Sequence, residues 1–491
     1  MPYQISNSCT RPDTVSVTIV MDWQDFVNRE FRLLDCTQNQ PRLYRYQDLV
    51  KSVEHWQQCL QHNGARPGQT VGLVHVMNLD YFAVFYAALS QGLRFVVLDN
   101  RTDHTATHGL FLPLDFVILD GSDSDLQHYW QQHAGTVIDT SRPHSALEHI
   151  VDQTAFDPQT GLLSSCTSGS TGTPQPITHS YGFFTDLARR NSRVLNLGER
   201  CAHVRNLHHG SSLPVWFLPT VMSCNLHVCF DYENHADYVN SEQFVHNIRW
   251  LEYLDINHFM LPSNDWLVAV LNVIQQHSMQ FRDLTLYTLG QINADLVSAV
   301  RDTNIKIVSI FGSTETSGPI LLNSLHQVNA DQFDPKVFVM PDDFYQITAV
   351  SNGTVVKARD HAVEHLMSDR FDSLGGGKYR HRGRSVAYTL RGIPIDMALL
   401  DQIVIDLGID GTMVIDQEQQ TVSLAVWNQD CADTARQRVN IELASALDCA
   451  NITVNHCENL NRHHFTSGIK PNQELIRQYF RNHTNVSIQA P

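Results

Sequence analysis

The sequence predicts an α/β protein, with a large N-terminal α/β part of layered sheets and helices and a small C-terminal α+β part. Three observations carry that expectation. Strand-like and helix-like runs alternate up to about residue 380, the texture changes after Arg384, and no Pro/Ser linker or low-complexity break interrupts residues 150–380. At 491 residues the chain is also too long for one compact core, which argues for two to four domains.

The first element is "TVGLVHVMN" (Thr70–Asn78), an apolar run of buried-strand length. The helical "LDYFAVFYAALSQG" follows, and then the strand-like "RFVVLDN". The alternation recurs at "LDFVILDG" and at "NIKIVSIFG", the latter preceded by the helical "NADLVSAVRD". Strand–helix–strand repeats of this kind predict a mostly parallel sheet covered by helices. Past Arg384, "GIPIDMALLDQIVIDLG" reads as a helix and "TMVIDQEQQTVSLAVW" as two strands joined by a polar turn. "CADTARQRVNIELASAL" reads as a second helix and "NITVNHC" as a further strand. A junction near "GRSVAY" therefore divides the chain into residues 1–383 and 384–491, the second piece being large enough to fold separately.

Composition narrows the function classes. The 34 Lys and Arg against 51 Asp and Glu give a formal charge of −17, which argues against a nucleic-acid partner and against an anionic membrane surface. The N-terminus carries no basic stretch followed by an apolar run, and "YFAVFYAAL" falls far short of a membrane span. Ten scattered cysteines, with no CxxC pair and no metal-ligand spacing, read as reduced thiols of a cytoplasmic protein.

One stretch points to chemistry. "SSCTSGSTGTPQPITHS" (Ser164–Ser180) packs Ser, Thr and Gly around Gly169 and Gly172 and stops at Pro174. Glycines let backbone approach a ligand, and amides and hydroxyls donate to phosphate oxygens. A Walker P-loop needs Lys beside its last glycine, whereas Thr173 follows Gly172. On composition alone the run reads equally well as a polar turn.

Order along the chain adds information. "TSGSTGTPQPITHS" resembles the phosphate-binding signature of the adenylate-forming superfamily, which includes acyl-CoA synthetases, aryl-acid ligases and peptide-synthetase adenylation domains. "IFGSTETSGPI" (Ile310–Ile320) resembles that family's second signature, and "SDRF" with "HRGR" resembles the third. The three occur in the family's order and span nearly the whole chain.

The resemblance implies an ATP-dependent carboxylate ligase that forms an acyl- or aryl-adenylate, with Mg²⁺ as cofactor, and passes the acyl group to a thiol. It implies that Thr167, Ser168, Gly169, Ser170, Thr171 and Gly172 hold the β- and γ-phosphates, with Phe311 and Gly312 beside the nucleotide. Thr314 then donates to the α-phosphate and Glu315 holds Mg²⁺ as a hard oxygen ligand. Asp369, an acceptor-only carboxylate, takes the ribose hydroxyls, and Arg384 fixes ribose or phosphate and marks a hinge. Outside the resemblance, Glu315 also fits a helix-start charge and Asp369 a turn acid. "LGGGKY" (Leu374–Tyr379) reads as a hairpin turn.

For the acyl group, "NLHHGSSLPVWF" falls where the family gates the carboxylate, with His209 the better candidate. "TLGQI" places Gly290 along the adenine and acyl pocket, and "FMLPSNDW" matches a strand-to-Pro turn at its border. The apolar "LPVWFLPTVM" favours an aryl or medium acyl acid over an amino acid. The implied partners are a small carboxylic acid, ATP, and coenzyme A or the phosphopantetheine of a carrier protein.

Three positions depart from the pattern. Gln175 stands where the first signature has Lys after Pro, so a charge is missing there. "SVAYTLRG" lacks the hinge residue expected after Arg384. Ile469, not Lys, follows Gly468, which shifts the candidate catalytic Lys470 by one, and Pro471 argues against a regular strand around it. These departures support a second reading, a divergent relative that binds nucleotide or acyl ligand as a binding or scaffold subunit.

Overall fold

The computed structural model describes residues 23–37, 41–74, 78–98, 114–119, 124–139, 162–166, 176–204, 213–230, 238–261, 264–289, 292, 294–301, 303–313, 316–350, 353–361, 363–384, 387–390, 393–396, 404, 411–416, 421–426, 452–456, 466–467, 470–471, 476–477 and 481. In chain order the strands begin with β1 (Arg32–Cys36), β2 (Arg42–Arg45), β3 (Thr70–Val74), β4 (Arg94–Val97), β5 (Leu114–Leu119) and β6 (Ala134–Asp139). There follow β7 (Leu162–Cys166), β8 (Pro176–Ser180), β9 (Arg200–Val204), β10 (Leu226–Phe230), β11 (His258–Met260) and β12 (Thr285–Thr288). Next come β13 (Lys306–Ser313), β14 (Gly318–Leu325), β15 (Val337–Val339), β16 (Tyr345–Val350), β17 (Gly353–Ala358) and β18 (Glu364–Met367). A hairpin of β19 (Asp369–Gly375) and β20 (Lys378–Arg384) closes this part of the chain.

Two sheets dominate. One has six strands in the order β6-β5-β3-β4-β7-β8, and the other has eleven in the order β19-β20-β15-β14-β13-β12-β11-β9-β10-β1-β2. The central pairs of both are parallel, as the alternating strand and helix runs predict, and antiparallel strands stand at the β8 edge of the smaller sheet and at both edges of the larger one. The mixed α/β class expected from the sequence is therefore the one observed.

One helix is apolar on nearly every side and lies in the core that the two sheets share. In the helix Leu79–Ser90, every residue from Tyr81 to Leu89 is buried. Asn78 starts that helix by accepting from the Tyr81 amide at 3.2 Å. Its aromatic rings join Val71 and Phe95 of one sheet and Cys201 and Ile310 of the other in a single core. A second core, built on Phe259, Trp266 and Leu286, covers the far face of the large sheet. A third sheet, β16-β17-β18, packs beside Phe183, Leu187 and Phe338. Among the described residues, no helix is long and apolar enough to cross a membrane.

The tail contains β21 (Ala387–Leu390), β22 (Ile393–Asp396), β23 (Gly411–Asp416), β24 (Thr421–Val426) and β25 (Ile452–His456). The two strands expected in "TMVIDQEQQTVSLAVW" are β23 and β24, antiparallel as predicted, with β25 parallel to β24. The helix expected from Gly392 begins instead as a strand: Ile393–Asp396 pairs antiparallel with β21. Pro394 disfavours an interior helical turn, and the β-branched Ile393 and Ile395 suit the hairpin. The second helix of the tail, in residues 431–447, lies outside the described residues.

The core holds a polar knot that the spacing of the cysteines did not reveal. Parallel pairing of β9 with β10 sets Cys201 opposite His227, and His203 is one strand repeat further on. The Cys201 Sγ lies 3.3 Å from both His203 Nε2 and His227 Nδ1. Those two nitrogens are 3.0 Å apart, while the ring planes agree within 11° and the centroids are 5.2 Å apart. The two nitrogens are within hydrogen-bonding distance of each other, and with the Cys201 sulfur they form a buried group whose three ligand atoms lie close enough together to hold a metal ion.

Burial pushes both imidazoles below the ordinary 6.5, His203 far down and His227 to about 3, with the Cys224 carbonyl pulling His227 slightly the other way. Both stay neutral in the folded protein while the unfolded chain takes up protons below 6.5. Stability is therefore intact above pH 6.5 and falls as pH drops toward 3, by about 1.4 kcal/mol per pH unit for each histidine. Urea unfolding measured from pH 7 to pH 5 is expected to show this slope, and a His227→Gln variant should lose about one proton's share of it.

Candidate functional site

The "SSCTSGSTGTPQPITHS" stretch folds around a hairpin: β7 pairs antiparallel with β8 from Leu162↔Ser180 to Cys166↔Pro176. Residues 167–175, and with them Thr167, Ser168, Gly169, Ser170, Thr171, Gly172 and Gln175, lie outside the described residues. β8 runs straight into the helix Tyr181–Val194, whose N-cap Ser180 accepts from the Phe183 amide at 3.3 Å.

That helix clamps the second signature. β13 and β14 form an antiparallel hairpin with a register shift between Phe311 and Gly312. A Cβ at Gly312 would run into the Gly318 carbonyl oxygen, so the residue type is dictated by the close approach of the two strands. Gly318 in turn leaves room for Leu187 of the helix, which a Cβ there would meet at 2.8 Å.

Thr314 and Glu315 lie outside the described residues, but the segment that carries them is fixed at both ends. The Ser313 amide donates to Thr316 Oγ1 and the Thr316 amide to Ser313 Oγ, each at 3.2 Å. The Ser317 amide donates to the Ser313 carbonyl at 2.9 Å, with Ser317 at φ 55°. Tyr345 Oη, fully buried, donates to the Thr316 carbonyl at 2.8 Å. Strand β14 begins directly after Ser317, at Gly318.

Arg190 ties these pieces together from the helix. Its guanidinium is 1% exposed and grips Asp342 through Nε at 2.8 Å and NH2 at 2.7 Å, while NH1 donates to the Pro319 carbonyl. It also lies over the rings of Phe344 and Tyr345, at 5.1 and 4.9 Å.

The third signature arrives on the same sheet. β20 pairs with β15, and β19 with β20, with Asp369 directly opposite Arg384. The turn at Gly375, Gly376 and Gly377 has positive φ throughout, as expected of "LGGGKY". Asp369 is therefore no turn acid: it begins a strand, is buried, and its Oδ1 lies 3.0 Å from His381 Nε2. The His381 ring sits 5.5 Å from Phe311 and 5.0 Å from Phe371. Two residues singled out from sequence, Phe311 and Asp369, are thus joined by one that was not. His381 was visible only as the first letter of "HRGR", with nothing in the spacing to mark it.

The remaining candidates divide sharply. His209 and Gly290 lie outside the described residues, as does the side chain of Arg384. Residues Lys470 and Pro471 form a short strand paired with Thr466 and Ser467, so the expectation that Pro471 breaks a strand is corrected. A proline at the end of so short a hairpin costs no essential ladder bond. Within the apolar "LPVWF", Val215, Trp216 and Phe217 are all buried in the core, the last against Tyr81, Phe82 and Phe85.

Comparison with known proteins agrees with this geometry. Residues 34–338 match the family model described as AMP-binding enzyme. Among solved structures, the O-succinylbenzoate coenzyme A synthetase (MenE) of Bacillus subtilis in complex with ATP and magnesium ion has a TM-score of 0.71 at 16% identity, covering 93% of this chain and 99% of that one. The anthranilate CoA ligase AuaEII in complex with anthranoyl-AMP has a TM-score of 0.69 at 13% identity, over 93% and 96% of the two chains. The McyG A-PCP protein complexed with phenylalanyl-adenylate has a TM-score of 0.68 at 14% identity, over 95% of each chain. No curated protein matches the sequence.

The hairpin makes two measurable demands. A Gly312→Ala variant should lose about 1–3 kcal/mol of stability through overpacking against Gly318. Tyr345→Phe should lose about 1–2 kcal/mol because the buried Thr316 carbonyl gives up its donor. Urea unfolding of both variants checks the pair.

Proposed function

This chain belongs to the AMP-binding enzyme family, and on that premise we propose that it is an ATP-dependent carboxylate ligase. In this reading it joins a carboxylic acid to the α-phosphate of ATP with release of pyrophosphate. The acyl group then passes to a thiol, that of coenzyme A or of a carrier protein's phosphopantetheine. The observation that carries the reading is the meeting of Phe311 and Asp369 at one aromatic cluster, with the Thr314–Glu315 segment following Phe311 in the same hairpin.

The roles follow from the charge problem of the reaction. A carboxylate approaching a triphosphate is repelled, so the site must supply donors and a cation. Thr167, Ser168, Gly169, Ser170, Thr171 and Gly172, bridging β7 and β8, would hold the β- and γ-phosphates. Thr314 would donate to the α-phosphate and Lys470 would bring positive charge there. Glu315 would hold Mg²⁺, which when bound neutralises phosphate charge. Asp369 would accept from the ribose hydroxyls, with Arg384 beside it in register. Gly290 would border the adenine, and His209 would gate the acid. The small part from residue 384 onward would turn about Arg384 between adenylation and thiol transfer.

Relatives of both acceptor types support the thiol step: an anthranilate CoA ligase and an A-PCP protein share the fold. Gln175 and the Gly468–Ile469 pair favour a second reading, a divergent binding subunit that no longer turns over.

Pyrophosphate release over a panel of aryl and acyl acids separates the two. The ligase reading expects turnover with at least one acid, a loss of about a hundredfold in Glu315→Ala, and a comparable loss of adenylation in Lys470→Ala. ATP binding without turnover on any acid would leave the binding subunit standing, and undiminished adenylation by Lys470→Ala would remove that residue from the site.

A further inference from the structure

We propose that Cys201, His203 and His227 form a buried binding site for a soft monovalent cation, Cu(I), held by one thiolate and two imidazoles. None of the three has a part in the function proposed above.

The large sheet brings the three ligand atoms together. β9 carries Cys201 and His203 two residues apart, so both side chains leave the same face of the sheet. β10 sets His227 opposite Cys201 in the parallel register. Cys201 Sγ is 3.3 Å from His203 Nε2 and from His227 Nδ1, and those nitrogens are 3.0 Å apart. All three residues are fully buried, with the Phe82 ring edge-on to both imidazoles. A cation about 2.0 Å from nitrogen and about 2.3 Å from sulfur holds such atoms roughly 3.3–3.7 Å apart, so the triangle would widen by about half an ångström or less.

Ring orientation points to the same atoms. His227 Nε2 lies 3.3 Å from the Cys224 carbonyl, which only accepts, so Nε2 carries the proton and Nδ1 presents a lone pair to the cluster. A carbonyl on the far nitrogen is the usual support of a metal-bound imidazole. His203 Nδ1 is buried with no hydrogen-bond partner among the described residues, so hydrogen bonding alone does not complete the group.

Charge selects the ion. On binding, the Cys201 thiol releases its proton to solvent and the His203 proton sits on Nδ1, which frees a lone pair on the sulfur and on each facing nitrogen. The thiolate cancels one positive charge, so Cu(I) leaves the core neutral. Zn²⁺ would leave one charge uncompensated, and among the described residues no fourth His, Cys, Asp or Glu atom joins the group. Thiolate and imidazole together also suit copper.

The full chain, made in copper-supplemented cells and purified without oxygen, tests this. Elemental analysis should find about one copper per chain, and X-ray absorption at the copper edge should show one sulfur and two imidazole nitrogens. Cys201→Ser and His227→Gln should each lower the copper content about tenfold or more, while Cys36→Ser, a thiol outside the cluster, should keep it. The absorption spectrum of the parent protein decides the question even where a variant fails to fold. Copper absent from the parent, copper bound by sulfur alone, or copper retained in full by Cys201→Ser would each overturn the inference. Zn²⁺ held in preference to copper would overturn the assignment of a monovalent ion.

Discussion

The buried guanidinium of Arg190 is the constraint on which the candidate site depends. It leaves the helix that follows the β7–β8 hairpin and reaches three separate pieces: the Asp342 carboxylate, the Pro319 carbonyl of β14, and the rings of Phe344 and Tyr345. Tyr345 carries the connection onward to the Thr316 carbonyl, at the turn that bears Thr314 and Glu315. A buried cation is costly to desolvate and is tolerated only where its donors are met. Here that requirement fixes the distance from the first signature's helix to the second signature's hairpin.

Downstream of that clamp, the large sheet extends the site by pairing. β14 carries β15, β15 carries β20, and β20 carries β19, so Asp369 reaches the Phe311 side of the sheet by hydrogen-bonded neighbours. The helix Tyr181–Val194, the β13–β14 hairpin and the β19–β20 hairpin, far apart in sequence, are thus joined through side-chain contacts and one sheet edge.

Much of this was legible in the sequence, for physical reasons that differ from place to place. The buried parallel strands declared themselves because a strand covered on both faces is a continuous apolar run, as at "TVGLV" and "RFVV". The Gly375–Gly377 turn was legible because positive φ leaves glycine as the default. The strand at Ile393–Asp396 was not, because "IPID" carries the apolar spacing of a helix start as well as of a strand. The Cys201, His203 and His227 knot was invisible because its members meet only when β9 pairs with β10, and cross-strand register is not written in local spacing. His381 escaped for the same reason, since its partner Asp369 lies across a hairpin. The apolar run "LPVWF" announced burial, since Val215, Trp216 and Phe217 all lie in the core.

The proposed function requires that the β13–β14 and β19–β20 hairpins and the segment bridging β7 and β8 form a single nucleotide site. A crystal structure of the chain grown with ATP and Mg²⁺ tests it most directly. The expected result is the ribose diol within hydrogen-bonding distance of Asp369 and the phosphates against residues 167–172. A nucleotide bound elsewhere, or one whose ribose makes no contact with Asp369, would contradict it.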